Sequence, residues 1–314
     1  MIGILLTNIG TPDAPTPAAV KKYLKSFLTD KRVVEIPQII WRPILNGFIL
    51  PLRSKRSAKL YSAIWTPEGS PLLIHSQNIA EKLQQKLQYP VELGMHYSNP
   101  SIPDALKKLH QQNVSKIIVL PLFPQYSATS TASTFDQATK ALHTWRNLPE
   151  IFLTKDYADN PNYIRAIAHS IQATWKTHGQ KFLVFSYHGI PKRYVDLGDP
   201  YAERCQLTTE LIVRELNLTT NDYAITFQSR LGKTEWLTPY TDVFLKSLPQ
   251  KGIKDIHVIC PGFAVDCLET LEEIALRGKE QFIEHGGKSF HYIPALNDTE
   301  AQIELLVNLV QNKS

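Results

Sequence analysis

The sequence predicts an α/β protein made of two parallel four-stranded sheets in tandem. Two observations carry this reading. Eight short runs rich in Ile, Val, Leu and Phe recur along the 314 residues, and helix-length amphipathic segments separate them, as parallel strands require. The runs also fall into two groups of four, and a chain of this length more naturally forms two cores than one.

The first run, 2–8 within MIGILLTNIGTPDAP, is apolar and turns at Gly10-Thr11-Pro12. It lacks a basic lead and is too short for a secretory signal, so it reads as a buried strand. Runs 91–95, 116–122 and 150–153 complete the first group, and 182–187, 223–228, 255–260 and 289–293 form the second. Segments 101–112, 131–146, 160–177, 200–216 and 266–285 have the length and period of crossover helices. An N-terminal domain 1–150 and a C-terminal domain 151–314 are expected, and the last helix, 298–312, packs either on its own domain or back on the first. The halves share no sequence repeat.

Segment 36–61, IPQIIWRPILNGFILPLRSKRSAKLY, is apolar and then basic, with Arg53, Lys55, Arg56 and Lys59 close together. Pro37, Pro43 and Pro51 interrupt it too often for a spanning helix. It reads either as a core-packing helical hairpin or as an apolar lip, 36–52, that touches a membrane or admits a hydrophobic ligand.

Composition narrows the function. The net charge of +5 is modest and mostly dispersed, which argues against general nucleic-acid binding. Cys205, Cys260 and Cys267 form no CxxC pair and no closed disulfide set, so a reducing, cytoplasmic location is expected. Neither GxGxxG nor GxxxxGK(S/T) occurs, which counts against dinucleotide and nucleoside-triphosphate sites.

In parallel sheets, ligand chemistry belongs at the carboxyl ends of the strands. In FSYHGIPKRY, that rule puts His188 just past a strand, where Gly189 permits a turn and Pro191 ends pairing. An imidazole there can accept a proton near neutrality. In CPGFAVDCLETLEEI, a helix beginning near Val265 would carry Asp266, Glu269 and Glu273 on one face, with Glu272 pointing elsewhere. An ordinary acidic first turn is the plainer reading; position at a strand's carboxyl end, facing the same cleft as His188, favours a working row. Cys260 and Cys267 lack a CxxC or CxxH spacing and give no closed zinc or iron–sulfur site. Tyr97, Phe123, Tyr126, Tyr187, Trp236 and Tyr240 lie near strand ends and suit a flat apolar ligand, whose anionic edges Arg53 and Arg56 could hold.

With GILLTNIGTPDAPT, YSAIWTPEGSPL, LPLFPQYSATST, SYHGIPKRY with GDPY, TFQSRLGKTEWLTPYTD and CPGFAVDCLETLEEI in order along almost the whole chain, the sequence resembles the ferrochelatases, most of all those of Gram-negative bacteria. The resemblance implies two Rossmann-like domains of the chelatase type around a porphyrin cleft, and insertion of Fe2+ into protoporphyrin IX to give protohaem. It implies that His188 and Glu269 are the essential pair and meet the metal, with Asp266 and Glu273 leading away as a proton or metal relay. His96 and Tyr97 stand on the opposite wall. Arg53, Arg56 and Ser70 match propionate-binding positions, and Ile9 and Trp236 match macrocycle contacts.

The departures are informative. Animal enzymes carry arginine where His96 stands and histidine where Cys267 stands, and Arg277 occupies a position that is often glutamate. Ala128 falls at the internal cysteine position of family members with a 2Fe-2S cluster, and the C-terminus has no cysteine. No cluster and no permanently bound cofactor are expected, with Fe2+ a substrate.

Metal insertion expels two pyrrole protons, so bases are needed. His188 is expected to take them and the carboxylates to pass them outward, while clamping of the ring supplies roughly 1–5 kcal/mol towards bending it. Iron arrives either past His96 and Tyr97 or along the carboxylates. Peripheral attachment to the inner membrane through the lip would ease transfer of poorly soluble porphyrin. The rival readings are a chelatase for coproporphyrin iron or sirohydrochlorin cobalt and a non-catalytic porphyrin carrier, against which the row of bases speaks.

Overall fold

The computed structural model describes residues 1–232 and 234–313. Their strands are β1 (Ile2–Asn8), β2 (Val91–Met95), β3 (Lys116–Pro121), β4 (Glu150–Leu153), β5 (Phe182–His188), β6 (Tyr223–Gln228), β7 (Asp255–Ile259) and β8 (Ser289–Ile293). They form two four-stranded sheets, ordered β2-β1-β3-β4 and β6-β5-β7-β8. All the pairings are parallel. Both sheets thus repeat one topology, with the first strand of each set lying inside the second. The near-continuous apolar character of β1, β3 and β5 follows, because central parallel strands are covered on both faces.

The chain divides into two compact units, Met1–Phe123 with Ser127–Asp156 and Asp298–Ser314, and Pro124–Tyr126 with Tyr157–Asn297. In the first, Leu5, Ile117 and Val119 of the sheet pack with Leu106 and Leu109 of the helix Ile102–Gln111 and Leu142 of the helix Ser133–Leu142. The final helix, Glu300–Gln311, belongs to this unit. Its leading Asp298 accepts hydrogen bonds from Lys82 Nζ at 2.6 Å and Asn78 Nδ2 at 3.3 Å, and meets His75 Nδ1 at 2.7 Å.

The segment expected as a hairpin or a lip forms one nearly continuous helical run: α-helix Gln38–Ile44, π-helix Leu45–Ile49 and α-helix Leu50–Ile64. The chain does not reverse, so the hairpin is corrected. Pro51 has no N–H to give to the Gly47 carbonyl, and the turn before it widens instead of breaking. Trp41, Leu45, Leu50 and Tyr61 face inward. Ile39, Phe48 and Leu52 remain 85%, 70% and 75% exposed, so the outer face is apolar and uncovered.

In the second unit, Val184, Ile256, Val258 and Phe290 form one sheet face against Leu245, Ile274 and Phe282. Phe282 is fully buried, and its truncation to alanine would cost about 3–5 kcal/mol. Alternation puts His257 and His291 on the other face, which the helix Pro161–His178 approaches. That helix starts with Asn160 accepting from the Asn162 amide at 2.9 Å and Pro161 at its first position, and stops at Gly179.

Candidate active site

His188 is the last residue of β5, paired with Gln228 at the end of β6, one residue earlier than a position just past the strand. Its Nδ1 lies 2.6 Å from the carbonyl oxygen of Gly189. A carbonyl can only accept, so Nδ1 carries a proton, and in the neutral ring Nε2 is the bare lone pair. Gly189 in turn donates its N–H to the Gln228 carbonyl at 2.8 Å. A Cβ at 189 would lie 2.9 Å from that oxygen and 3.3 Å from the Trp236 ring, so only glycine fits here without displacing a neighbour. Trp236 is thereby placed over the turn beside His188, its indole N–H donating to Leu231 O at 2.9 Å.

The acidic stretch departs from its expected geometry. The helix begins at Leu268, not near Val265, with Cys267 as its cap, and from Leu271 to Gly278 it is a π-helix. Asp266 therefore lies off the helix, and the row of three carboxylates on one face is corrected to two, Glu269 and Glu273. The Asp266 carboxylate is buried and accepts from Thr270 Oγ1 at 2.8 Å, Tyr292 OH at 2.6 Å and Asn297 Nδ2 at 2.7 Å. It ties the helix start to the end of β8. Glu272 pairs with Arg277 at 3.0 Å, a five-residue spacing that suits the wider turn.

Glu273 is held by Ser229, whose amide donates to Oε1 at 2.9 Å and whose hydroxyl donates to Oε2. Burial pushes the Glu273 carboxyl above its ordinary range; the Ser229 hydroxyl, Arg277 and His188 pull it down, and Glu269 adds to the rise. Glu269 is fixed through its backbone, since Gln228 Nε2 donates to its carbonyl at 2.7 Å. Gln228 Oε1 accepts from Ser186 at 2.7 Å. The dipeptide Gln228-Ser229 thus touches the His188 turn, Glu269 and Glu273 together. Within TFQSRLGKTEWLTPYTD the aromatic residues Trp236 and Tyr240 stand out and Gln228 and Ser229 do not; the strand-end rule applied to Gln228 itself was the available signal.

Burial pushes the Cys260 and Cys267 thiols well above their ordinary range. They stay protonated, which makes them poor metal ligands. No three His, Cys, Asp or Glu side chains among the described residues converge as a metal site.

In the first unit, His96 and Tyr97 follow β2, their amides donating to Asn8 O and Ile9 O. Both are buried. His96 Nε2 meets Thr134 Oγ1, and that hydroxyl donates to Ser130 O at 3.2 Å, so Nε2 donates and Nδ1 remains a buried lone pair without a partner. Burial lowers His96 to about 4, with Asp30 opposing. Tyr97 donates to Asp30 Oδ2 at 2.7 Å, beside Ser133. His96, Tyr97 and Asp30 line a cavity of about 440 Å³ that Lys140 and Gln137 also reach.

Ser70 precedes the helix Pro71–Leu87 and accepts from Thr11 Oγ1 at 2.8 Å. Arg53, half-buried, and Arg56, exposed, lie three residues apart on the helix Leu50–Ile64, and Ile9 is half-buried just beyond β1.

The sequence model of the family described as Ferrochelatase matches residues 1–314. The chain is 52% identical over 311 residues to a ferrochelatase of Vibrio cholerae, covering 99% of this chain and 97% of that one. It is 51% identical over 319 residues to ferrochelatase 1 of Shewanella oneidensis, covering 99% and 96%. Among solved structures, the sirohydrochlorin chelatase SirB of Bacillus subtilis subspecies spizizenii in complex with cobalt aligns with a TM-score of 0.60 at 10% identity, over 99% of this chain and 94% of that one. SirB from Bacillus subtilis with Fe3+ gives 0.59 at 11%, over the same shares. At that identity these structures speak for the fold alone.

Proposed function

This chain belongs to the ferrochelatase family, and from that premise we propose that it inserts Fe2+ into protoporphyrin IX, giving protohaem and two protons, with His188 as the base. It is an enzyme of the metal-chelatase class. The single observation that carries the assignment of the base is the Gly189 carbonyl on Nδ1 of His188, which leaves Nε2 free to take a proton.

Pyrrole N–H groups are very weak acids in a flat ring, so the first task is to expose them. Trp236, beside the His188 turn, offers a flat apolar face against the macrocycle. Arg53 and Arg56 offer cations to propionates through charge-assisted hydrogen bonds, and Ser70 and Ile9 are further contacts carried by the resemblance. Bending the ring tilts a pyrrole nitrogen towards a base, and His188 Nε2 takes the proton.

The next acceptor is Glu273. Its raised proton affinity lets it hold a proton where an exposed carboxylate would not, and Glu269 lies one turn nearer the start of the same helix. Asp266 shapes this path by anchoring the helix and β8. Fe2+ is the second substrate, and Glu269 and His188 are its proposed ligands on approach, His188 through Nε2 only before that nitrogen takes the pyrrole proton. His96, kept neutral by burial, and Tyr97 remain the proposed opposite wall.

Among the described residues no helix is long and apolar enough to cross a membrane. The uncovered Ile39, Phe48 and Leu52 face, flanked by Arg42, Lys55, Arg56 and Lys59, supports peripheral contact with an anionic inner-membrane surface from the cytoplasm. The reading is tested by measuring metallation of protoporphyrin, coproporphyrin and sirohydrochlorin with Fe(II), Co(II) and Zn(II). Protoporphyrin with Fe(II) should be turned over fastest; preference for sirohydrochlorin with Co(II) would overturn it.

A further inference from the structure

Three histidines gather in the second unit away from His188. His257 of β7 and His291 of β8 are register partners on the same sheet face, and His178 from the last turn of the helix Pro161–His178 reaches them. The ring centroids are 4.2 Å apart for His178 and His291, 5.7 Å for His257 and His291, and 6.5 Å for His178 and His257. Three imidazoles sharing one tetrahedral ion at a metal–nitrogen distance of about 2.1 Å need centroids about 5.3 Å apart; the His257–His291 pair, at 5.7 Å, is close to that spacing, whereas His178 is stacked on His291 at 4.2 Å and must move to meet it. His257 is 1% exposed, and its Nδ1 is buried with no partner. A buried ring nitrogen left unmatched beside two other imidazoles needs a reason.

We propose that His178, His257 and His291 form a second metal site, for a borderline divalent transition ion such as Zn(II) or Co(II), separate from the porphyrin chemistry. The nitrogens do not yet converge; His178, exposed in the final helical turn, is the ring with room to swing onto the other two. Burial, the neighbouring imidazoles and Lys181 lower His257 to about 4, and burial, His178 and Lys279 lower His291. With cations as the charged neighbours, affinity must come from imidazole lone pairs, which favours transition ions over magnesium or calcium. Occupancy would stiffen β8, whose Tyr292 and following Asn297 hold Asp266.

The test uses tag-free full-length protein carrying His188→Ala and Glu269→Gln, which removes the proposed ligands at the porphyrin site. Zn(II) binding is read by equilibrium dialysis and Co(II) binding by its visible ligand-field bands. The expected result is about one equivalent bound at neutral pH, lost on adding His178→Ala and lost again on adding His291→Gln instead, with Mg(II) giving none. Zinc should raise the melting temperature only when the triad is intact. Because His178 is exposed, its removal should leave the metal-free melting temperature unchanged, which separates ligand loss from misfolding. No bound equivalent, or one that survives both His178→Ala and His291→Gln, would overturn the proposal.

Discussion

Ser229 grips the carboxylate of Glu273 at both oxygens, with its amide 2.9 Å from Oε1 and its hydroxyl on Oε2. Ser229 takes a left-handed φ of 67° to do so, a conformation that a serine adopts only where its surroundings reward it. A hydrogen bond to a charged group contributes about 1.5–3 kcal/mol, so Ser229→Ala should lower kcat by about tenfold to a hundredfold if Glu273 carries protons. KM for porphyrin should hold. A change confined to KM would instead make Ser229 a substrate contact.

Glu273 also leaves a mark on stability. Its carboxyl lies above its ordinary value of 4.5 in the folded protein, so the folded state keeps the proton longer than the unfolded chain. The contribution is complete below the unfolded value and is lost as pH rises through the folded one. Glu273→Gln cannot ionise, and denaturant midpoints followed across that window should fall less steeply than in the native protein. Parallel curves would show that Glu273 is not the group responsible.

His96 has the opposite sign. Burial holds it at about 4 against an ordinary 6.5, so the unfolded chain binds the proton first as pH falls, and stability present above pH 6.5 drains away towards 4. His96→Gln should flatten this acid limb in a melting series. If the limb persists unchanged, His96 protonation is not its source.

The outer face of residues 36–52 offers a prediction that leaves the fold alone. Replacing Ile39, Phe48 and Leu52 by serine should abolish cosedimentation with anionic liposomes, since each buried apolar side chain contributes about 1.5–3 kcal/mol to insertion. Their exposure means that the melting temperature should change little. Unimpaired cosedimentation would remove this face as the attachment point.

Much of the fold was legible in the sequence because parallel strands write themselves as apolar runs: β1, β2 and β4 fall where the runs lie, and β5 differs by one residue. What periodicity could not show was where helices widen. Asp266 looked like part of a helical face because an α-helical count was carried back to Val265, whereas its side chain is spent on Thr270, Tyr292 and Asn297, contacts made across distant sequence. The π-helix Leu271–Gly278 has no local signature. Gln228 and Ser229 were missed for a related reason: their importance lies in reaching β5 and the acidic helix at once, which only the tertiary pairing of β5 with β6 creates. The place of His188 at the end of β5 was legible because a strand end, a glycine and a proline together mark where the strand stops.

Gly189 carries a sharp consequence of that geometry. A methyl group 2.9 Å from the Gln228 carbonyl forces the turn away from β6, so Gly189→Ala should cost about 1–3 kcal/mol of stability and lower kcat as His188 loses the carbonyl that sets its tautomer. Native kcat in a folded Gly189→Ala protein would mean that the tautomer is set by something else.

The central claim, that His188 Nε2 takes the pyrrole proton, is tested most directly by the single-turnover rate of Fe(II) insertion into bound protoporphyrin in the His188→Ala enzyme. General-base catalysis is typically worth about 100-fold to 10,000-fold, and a fall of that size with porphyrin still bound is the predicted result. Insertion at close to the native rate would contradict the account.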